Sequence, residues 1–255
     1  MGVDECIDIA PAMPWDGHAT APLAAQETAS KSAAPASMGS PASTAVIPSV
    51  FVIASIEQAR ILANESNTLE SLYSAIRSFN GCALKKTATN TVIAQGIAES
   101  RLMFIGEAPG ADEDRQGIPF CGVSGQLLDK MLGSIGLSRA ENVYITNTLF
   151  WRPPGNRKPT AEELDICRPL VEKHIALVKP KRIVLVGGTA TQAILGDTRG
   201  ITRLRGQLFS YTNEYMEAEV PVHVIYHPSY LLRQPAAKKQ TWMDLLALKA
   251  ALANH

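Results

Sequence analysis

Four short apolar runs, separated by helical patterns, constrain the fold of this chain more than any other feature. The runs are residues 102–105 (LMFI), 143–146 (VYIT), 182–186 (RIVLV) and 222–226 (VHVIY). Their apolar residues are nearly continuous rather than alternating, as expected of strands that are covered on both faces. Because strands that alternate with helices favour a parallel sheet, the sequence predicts an α/β fold. We expect one three-layer α/β/α domain with a four-stranded parallel sheet.

The segments around these runs carry the three-to-four-residue apolar spacing of amphipathic helices. Predicted helices cover residues 124–135, 161–178, 189–195 and about 238–252. The helix at 161–178 is preceded by Thr160, with Glu163 three residues later, which is the spacing of a capping box. Residues 79–98 are predicted to be loop with a short strand.

Composition divides the chain into three parts. Residues 1–48 are rich in Ala, Pro, Ser and Thr, and such a segment buries too little apolar surface to offset its ordering entropy. We expect a disordered arm there. A role as a solubilising leader is favoured over a role as a docking tail. Residues 49–78 are predicted to be an N-terminal helical segment, and residues 79–255 the α/β domain.

Charge and cysteine usage limit the setting of the protein. The net charge is zero, but residues 1–70 carry −6 and the remainder +6, which suits a polyanionic partner. No apolar run is long enough for a membrane span, and the acidic start MGVDECIDIA lacks the basic region of a secretory signal. The four cysteines form no CxxC pair. We therefore expect a cytoplasmic, monomeric protein that does not contact membranes.

Polar and flexible residues follow each predicted strand. They are Gly106–Gly110 with the acids at 112–114, then Asn147 with residues 151–157, then residues 187–189, and finally residues 227–233. Because the carboxyl ends of parallel strands share one edge of a sheet, we expect these groups to line one cleft. Each also has a structural alternative: the acidic loop can be an ordinary connection, Asn147 a turn cap and Phe120 a core residue.

Four motifs resemble the family 4 uracil-DNA glycosylases. They are GEAPGxxED at 106–114, GxPFxGxxGQLLDKML at 117–132, YITNxxxxRPPGNRxP at 144–159 and HPSYLLR at 227–233. The resemblance runs from about residue 82 to residue 250. It implies the uracil-DNA glycosylase fold and a monofunctional DNA repair hydrolase. Such an enzyme flips uracil out of DNA, cleaves its N-glycosidic bond and leaves an abasic site.

The resemblance also implies which residues bind the base. Phe120 would stack on the flipped ring, and Ala108 and Glu113 would line the pocket, with Glu113 helping to exclude the methyl group of thymine. The side-chain amide of Asn147 offers one acceptor and one donor group, which match N3–H and O4 of uracil. Cytosine would face this amide with like groups and leave buried polar atoms unpaired.

Three residues are expected to take part in catalysis. His227 would stabilise the negative charge that develops on O2 of the leaving uracil. Glu107 would orient the attacking water and offset the positive charge of the sugar, and Asn147 would hold the base. The sequence does not settle the division of roles between Glu107 and Glu113.

The remaining motif residues are expected to hold DNA. Ser229 would meet a phosphate, and Leu231 or Leu232 would be the apolar wedge that fills the vacated stack. Cationic side chains would neutralise phosphates, and the candidates are Arg152, Arg157 and Arg233.

The family usually carries a [4Fe–4S] cluster on four cysteines, and here the sequence departs from it. Cys82 and Cys167 occupy two of the ligand positions, whereas Phe79 and Trp151 occupy the other two. Because a cluster normally needs four thiolates, we expect no cofactor. The two aromatic side chains would fill the volume by apolar packing.

Two other functions compete with excision. One is a non-catalytic module of the same fold that binds uracil-DNA or single-stranded DNA. The other is a nucleotide-binding protein that holds phosphate on Gly106–Gly110, which is weakened because neither GxGxxG nor GxxxxGK[ST] occurs.

Overall fold

The computed structural model describes residues 49–253. The strands are β1 (Ala94–Gly96), β2 (Leu102–Gly106), β3 (Tyr144–Asn147), β4 (Arg182–Val186), β5 (Leu208–Tyr211) and β6 (Val220–Ile225). The helices are α1 (Val50–Glu65), α2 (Leu69–Ser78), α3 (Ala111–Gln116), α4 (Val123–Gly133), α5 (Ala161–Val178), α6 (Gly188–Leu195), α7 (Ile201–Leu204), α8 (Pro228–Arg233) and α9 (Lys238–Ala253). The predicted arm at 1–48 lies outside the described residues.

The six strands form one sheet in the order β1-β3-β2-β4-β6-β5. The four predicted strands are its parallel centre, and β1 and β5 pair antiparallel at the two edges. The expected short strand at 79–98 is β1. The sequence did not predict β5, because only Tyr211 of its four residues is buried and the strand therefore lacks a continuous apolar run.

Helices cover both faces of the sheet, which confirms the three-layer prediction. Alternate residues of β2 point to opposite sides, so that Met103 and Ile105 join one core cluster while Leu102 and Phe104 join the other. The first cluster contains residues of α1, α2 and α5, and the second contains residues of α4 and α9. Each fully buried side chain of this size contributes about 1.5–3 kcal/mol to folding.

The N-terminal helices belong to the first of these cores. Val52 and Ala63 of α1 and Leu72 of α2 are buried against α5 and its neighbours. α5 begins at the predicted capping box, in which Thr160 and Glu163 each accept a hydrogen bond from the other's backbone N–H. No helix within residues 49–253 combines the length and the apolar character that crossing a bilayer requires.

Candidate active site

A pocket of about 750 Å³ opens at the carboxyl edge of the sheet, within the range usual for small-ligand sites. Residues that follow β2, β3, β4 and β6 all line it, so the expected convergence is found. Of the candidate residues, those that line the pocket are Glu107, Ala108, Glu113, Phe120, Asn147, Arg157, His227, Ser229 and Arg233. Three others, Arg152, Leu231 and Leu232, are not part of the lining.

Asn147 ends β3 and lies opposite Gly106 of β2. Its side chain is 2% exposed, and its Oδ1 has no hydrogen-bond partner among the described residues. A buried acceptor without a partner costs about 1–3 kcal/mol, and most such atoms in native proteins are paired. This oxygen is therefore suited to a ligand that presents an N–H donor.

Gly106 keeps the floor of the pocket open. A Cβ at this position would collide with the ring of Phe120 and with Oδ1 of Asn147. Only glycine leaves room for both groups, because they approach the same backbone atom from neighbouring elements. Glycine at the end of β2 thus allows these two side chains to approach the backbone closely.

Phe120 presents a buried ring to the pocket from a strained backbone. Its φ of 52° lies in the left-handed region, which costs a non-glycine residue about 1–3 kcal/mol. Its ring centroid lies 5.7 Å from that of His227, with the planes 31° apart. Gly125 is required behind it, because a Cβ there would overlap the Phe120 carbonyl.

Arg139 holds this strained turn. Its guanidinium donates to the carbonyl oxygens of Pro119 and Phe120, both at 2.9 Å, and to Oε1 of Gln95 at 2.6 Å. It also pairs with Asp129 at 2.7 Å. Arg139 was not predicted from the sequence, because it lies outside all four motifs and no local pattern distinguishes it from a surface arginine.

His227 caps α8, and its hydrogen bonds fix its tautomer. The backbone N–H of Ser229 donates to Nδ1 at 3.1 Å, and Ser229 Oγ lies 2.8 Å from the same atom. Because a backbone amide can only donate, Nδ1 is unprotonated and the neutral ring carries its proton on Nε2. Burial, and secondarily the charge of Arg233, lower the pKa of His227 to about 4. At neutral pH the ring is therefore an uncharged Nε2–H donor.

The two candidate carboxylates have different surroundings. Oε2 of Glu113 accepts from the N–H of Gly110, and Oε1 accepts from the N–H of Gly122, each at 3.0 Å. Glu113 therefore ties two turns of the pocket wall together. The carboxylate of Glu107 faces the pocket and, within residues 49–253, has neither a hydrogen bond nor an ion pair. Glu107 alone of the two is free to hold a water.

The other two acids of the 112–114 segment have structural contacts. Asp112 pairs with Arg115 at 2.6 Å. Asp114 is buried, and its Oδ1 accepts from the backbone N–H groups of Thr89 and Asn90 at 2.8 and 3.1 Å. The acidic character of this loop thus serves mainly to fix the loop itself.

Several cations surround the mouth of the pocket. They are Arg157, Lys158, Arg199 and Arg233. Arg157 is already paired with Glu163 through two hydrogen bonds, and Arg199 is similarly paired with Asp197. Arg199 was not predicted from the sequence, because its loop follows a helix and not a strand. Arg152 instead donates to Oδ1 of Asn156 at 2.7 Å.

Helix α8 places the two candidate wedge residues in different surroundings. Leu231 is 1% exposed and packs with Tyr226 and Ala237, so it cannot enter DNA without leaving the core. Leu232 is 42% exposed but lies outside the pocket lining. Tyr230, which the sequence analysis did not single out, is 37% exposed and does line the mouth.

The residues at the family's cluster positions do not fit a cluster. Cys82 and Cys167 are buried and form no disulfide within residues 49–253, and the interaction between the two thiols lowers the pKa of Cys82 and raises that of Cys167. Phe79 and Trp151, here called the aromatic pair, are each 1% exposed, with ring centroids 6.3 Å apart. Two thiolates do not supply the four-ligand set, and the described part of the chain holds no group of three or more metal-binding side chains.

Comparison with known proteins places this site in a family. Residues 93–247 match the sequence model of the Uracil DNA glycosylase superfamily. The type-4 uracil-DNA glycosylase of Archaeoglobus fulgidus is 40% identical over 181 residues, which cover 69% of this chain and 89% of that protein. The type-4 enzyme of Sulfurisphaera tokodaii is 38% identical over 178 residues, covering 68% and 80%.

A more distant relative is a type-5 uracil-DNA glycosylase of Pyrobaculum aerophilum, 33% identical over 150 residues that cover 53% of this chain and 64% of that protein. The matched span contains the four parallel strands and every residue of the pocket floor described above. On this evidence the chain belongs to the uracil DNA glycosylase superfamily, within its type-4 family.

Proposed function

We propose that this protein is a monofunctional uracil-DNA glycosylase that acts in base excision repair. It hydrolyses the N-glycosidic bond of uracil in DNA, releases the free base and leaves an abasic site. The observation that carries the proposal is the buried Oδ1 of Asn147, which has no hydrogen-bond partner within residues 49–253 and lies in a pocket shared with Phe120 and His227.

Base recognition follows from the geometry of the pocket floor. An enzyme that acts on a base inside a duplex must first flip the nucleotide out of the stack. Phe120 then stacks on the ring, Oδ1 of Asn147 accepts from N3–H, and the Asn147 amide N–H donates to O4. Cytosine has no N3 proton, so Oδ1 stays unpaired at a cost of about 1–3 kcal/mol, which is about 5- to 150-fold in selectivity.

The chemical step uses His227 and Glu107. When the C1′–N1 bond breaks, its electron pair moves onto the uracil and the sugar acquires positive charge. The neutral His227 donates its Nε2–H to O2, where the negative charge collects. Glu107 orients a water that attacks C1′ and takes up the proton that this water loses.

DNA is held at the mouth of the pocket. Arg157, Lys158, Arg199 and Arg233 neutralise phosphates, and Ser229 at the start of α8 contacts the backbone of the flipped nucleotide. Each neutralised phosphate releases counterions, so binding weakens steeply as salt rises. The enzyme works as a monomer in the cytoplasm, a setting in which the free thiols of Cys82, Cys121 and Cys167 stay reduced.

The decisive assay uses an oligonucleotide with one uracil, followed by alkali, which cuts the strand at abasic sites. The wild-type protein gives strand scission, and matched oligonucleotides with cytosine or thymine give none. Glu107→Gln loses about 10²–10⁴-fold in rate, because it removes the water-orienting carboxylate. Binding of the uracil oligonucleotide without scission would favour the non-catalytic module instead.

We also propose that the domain works without an iron–sulfur cluster. The aromatic pair supports this, because its rings fill the space and Trp151 Nε1 donates to Oγ1 of Thr91 at 3.1 Å. Gly81 makes room for the pair, since a Cβ there would meet the Phe79 ring.

Anaerobic reconstitution with iron and sulfide tests this proposal. The wild-type chain stays colourless and active, whereas the double variant Phe79→Cys/Trp151→Cys, which has four cysteines at the family's ligand positions, takes up about four irons per chain. A wild-type chain that gains iron and activity together would contradict the proposal.

A further inference from the structure

Removing a nucleotide from a duplex leaves a gap between its neighbouring bases, and α8 presents the side chains that can fill it. Leu231 is unavailable because it is buried in the core, with partly buried Leu127 and Met131 of α4 against the same cluster. Leu232 is exposed, but it does not face the pocket. Tyr230 is the aromatic side chain of this helix, and it is both exposed and part of the pocket mouth.

The ring of Tyr230 is held in place before DNA arrives. It packs on Tyr226 with a centroid distance of 4.9 Å and an interplanar angle of 40°. Tyr226 is itself only 3% exposed, and the guanidinium of Arg205 lies 5.7 Å from its ring centroid. Because the ring rests on a buried aromatic, fixing it against a base costs little additional conformational entropy.

Tyr230 also lies on the same turn of α8 as the catalytic histidine. Its backbone N–H donates to the carbonyl of His227 at 2.9 Å in the first turn of α8. Residues three apart on a helix lie on the same face, so one turn carries the imidazole into the pocket and the phenol ring to its mouth. Movement of α8 would displace both groups together.

We propose that Tyr230 fills the gap by stacking on the base next to the flipped uracil. This inference rests on the proposed function and adds the residue that captures the open duplex. Stacking of a base on an aromatic side chain is worth about 1–3 kcal/mol and tolerates any sequence, because every base has a π face. The phosphate contacts at the mouth then hold the strand on either side.

The test is kcat/KM for excision from a uracil duplex. Tyr230→Ala lowers it about 5- to 150-fold, because the platform is lost. Tyr230→Phe and Tyr230→Trp retain wild-type values, since both keep a flat ring. The matched control is Phe51→Ala, which removes an aromatic side chain that is 62% exposed on α1, away from the pocket lining, and leaves kcat/KM unchanged.

A second readout separates stacking from chemistry. With 2-aminopurine beside the uracil, flipping raises the fluorescence of the probe and stacking on Tyr230 partly quenches it, so Tyr230→Ala loses the quenching. Tyr230→Leu keeps apolar packing on Tyr226 without a π face, and we expect it to lose the quenching as well. It therefore replaces Tyr230→Ala in the assay if the alanine variant is too unstable to measure.

The outcomes distinguish this inference from the proposed function. A wild-type protein that produces no scission refutes the function itself. A wild-type protein that cleaves while Tyr230→Ala cleaves equally well refutes the stacking role. A loss in Tyr230→Phe equal to that in Tyr230→Ala would assign the effect to the hydroxyl, and a loss confined to Leu232→Ala would return the role to leucine.

Discussion

The pocket floor and the aromatic pair lie in the same domain, but the floor contains strained and unpaired groups whereas the pair is well packed and satisfied. Within residues 49–253, the floor holds an acceptor on Asn147 without a hydrogen-bond partner, a Phe120 with left-handed backbone and a carboxylate on Glu107 without a partner. Phe79 and Trp151, by contrast, are almost fully buried, and the one polar atom of the pair has its partner. Catalysis requires particular chemical groups at particular positions. Apolar packing such as that of the aromatic pair requires only side chains of suitable volume and shape.

The sharpest test of this contrast replaces Asn147 with leucine. Excision falls by about 10²–10⁴-fold, because base recognition is lost. The melting temperature stays the same or rises, since the change removes a buried unpaired oxygen worth about 1–3 kcal/mol. Thermal denaturation and the alkali-scission assay measure the two effects. A large drop in stability would show that Asn147 stabilises the fold, which would contradict the distinction between the pocket floor and the aromatic pair.

Trp151→Ala should behave in the opposite way. It leaves a cavity beside Phe79 and lowers the free energy of unfolding by about 3–5 kcal/mol. Excision per folded molecule stays near the wild-type value at low temperature, because no pocket residue is touched. Trp242→Ala is the control, since that indole is 41% exposed and its loss changes stability by about 0.5 kcal/mol or less. Urea melts and active-site titration provide the measurements.

Acidification lowers the stability of the fold through two buried histidines, only one of which lies in the pocket. Burial lowers the pKa of His174, beneath the sheet, to about 3, and that of His227 in the pocket to about 4. Both lie below the ordinary value of about 6.5, so the unfolded chain binds more protons than the folded one as pH falls below 6.5. Stability is therefore complete above pH 6.5 and declines towards pH 4.

Urea melts between pH 7 and pH 4.5 measure this decline. His174→Phe removes its own share of the slope and leaves excision at neutral pH unchanged, because His174 contacts Tyr73 and Tyr144 and is not among the described residues that line the pocket. If the slope is the same in this variant, His174 is not the source of the pH dependence.

The smallest effect is expected at the mouth of the pocket. Arg199→Ala removes one phosphate contact, and the slope of log binding constant against log salt becomes shallower by about 0.7–0.9. Arg168→Ala is the matched control, because Arg168 is likewise paired with a nearby acid, Asp165, and does not line the pocket. Fluorescence anisotropy in the Glu107→Gln background measures both slopes, and equal slopes would remove Arg199 from the DNA-binding surface.

The sequence predicted those parts of the fold that local pattern determines. Continuous apolar runs identified the four parallel strands, and the spacing of Thr160 and Glu163 identified the start of α5. The edge strand β5 escaped detection because it pairs along one side and buries little. The motifs predicted which residues line the pocket. They could not show that backbone amides bind the carboxylate of Glu113 and not that of Glu107.

Contacts between distant segments account for the remaining differences. Arg139 reaches the Phe120 turn from beyond α4, and nothing in its own neighbourhood indicates that role. Leu231 and Tyr230 are adjacent in sequence, and only the packing of α8 against α4 decides which of them faces the core. Both are consequences of tertiary packing, which periodicity does not encode.

Gly106 has a consequence for how this protein can change. The pocket floor stays open because Gly106 has no Cβ at the end of β2, where the Phe120 ring and the Asn147 amide converge. Any side chain introduced at position 106 by mutagenesis will therefore displace the Phe120 ring and the Asn147 amide, the two groups expected to contact the base. New base specificities will have to come from substitutions of Phe120 or Asn147, with Gly106 retained between them.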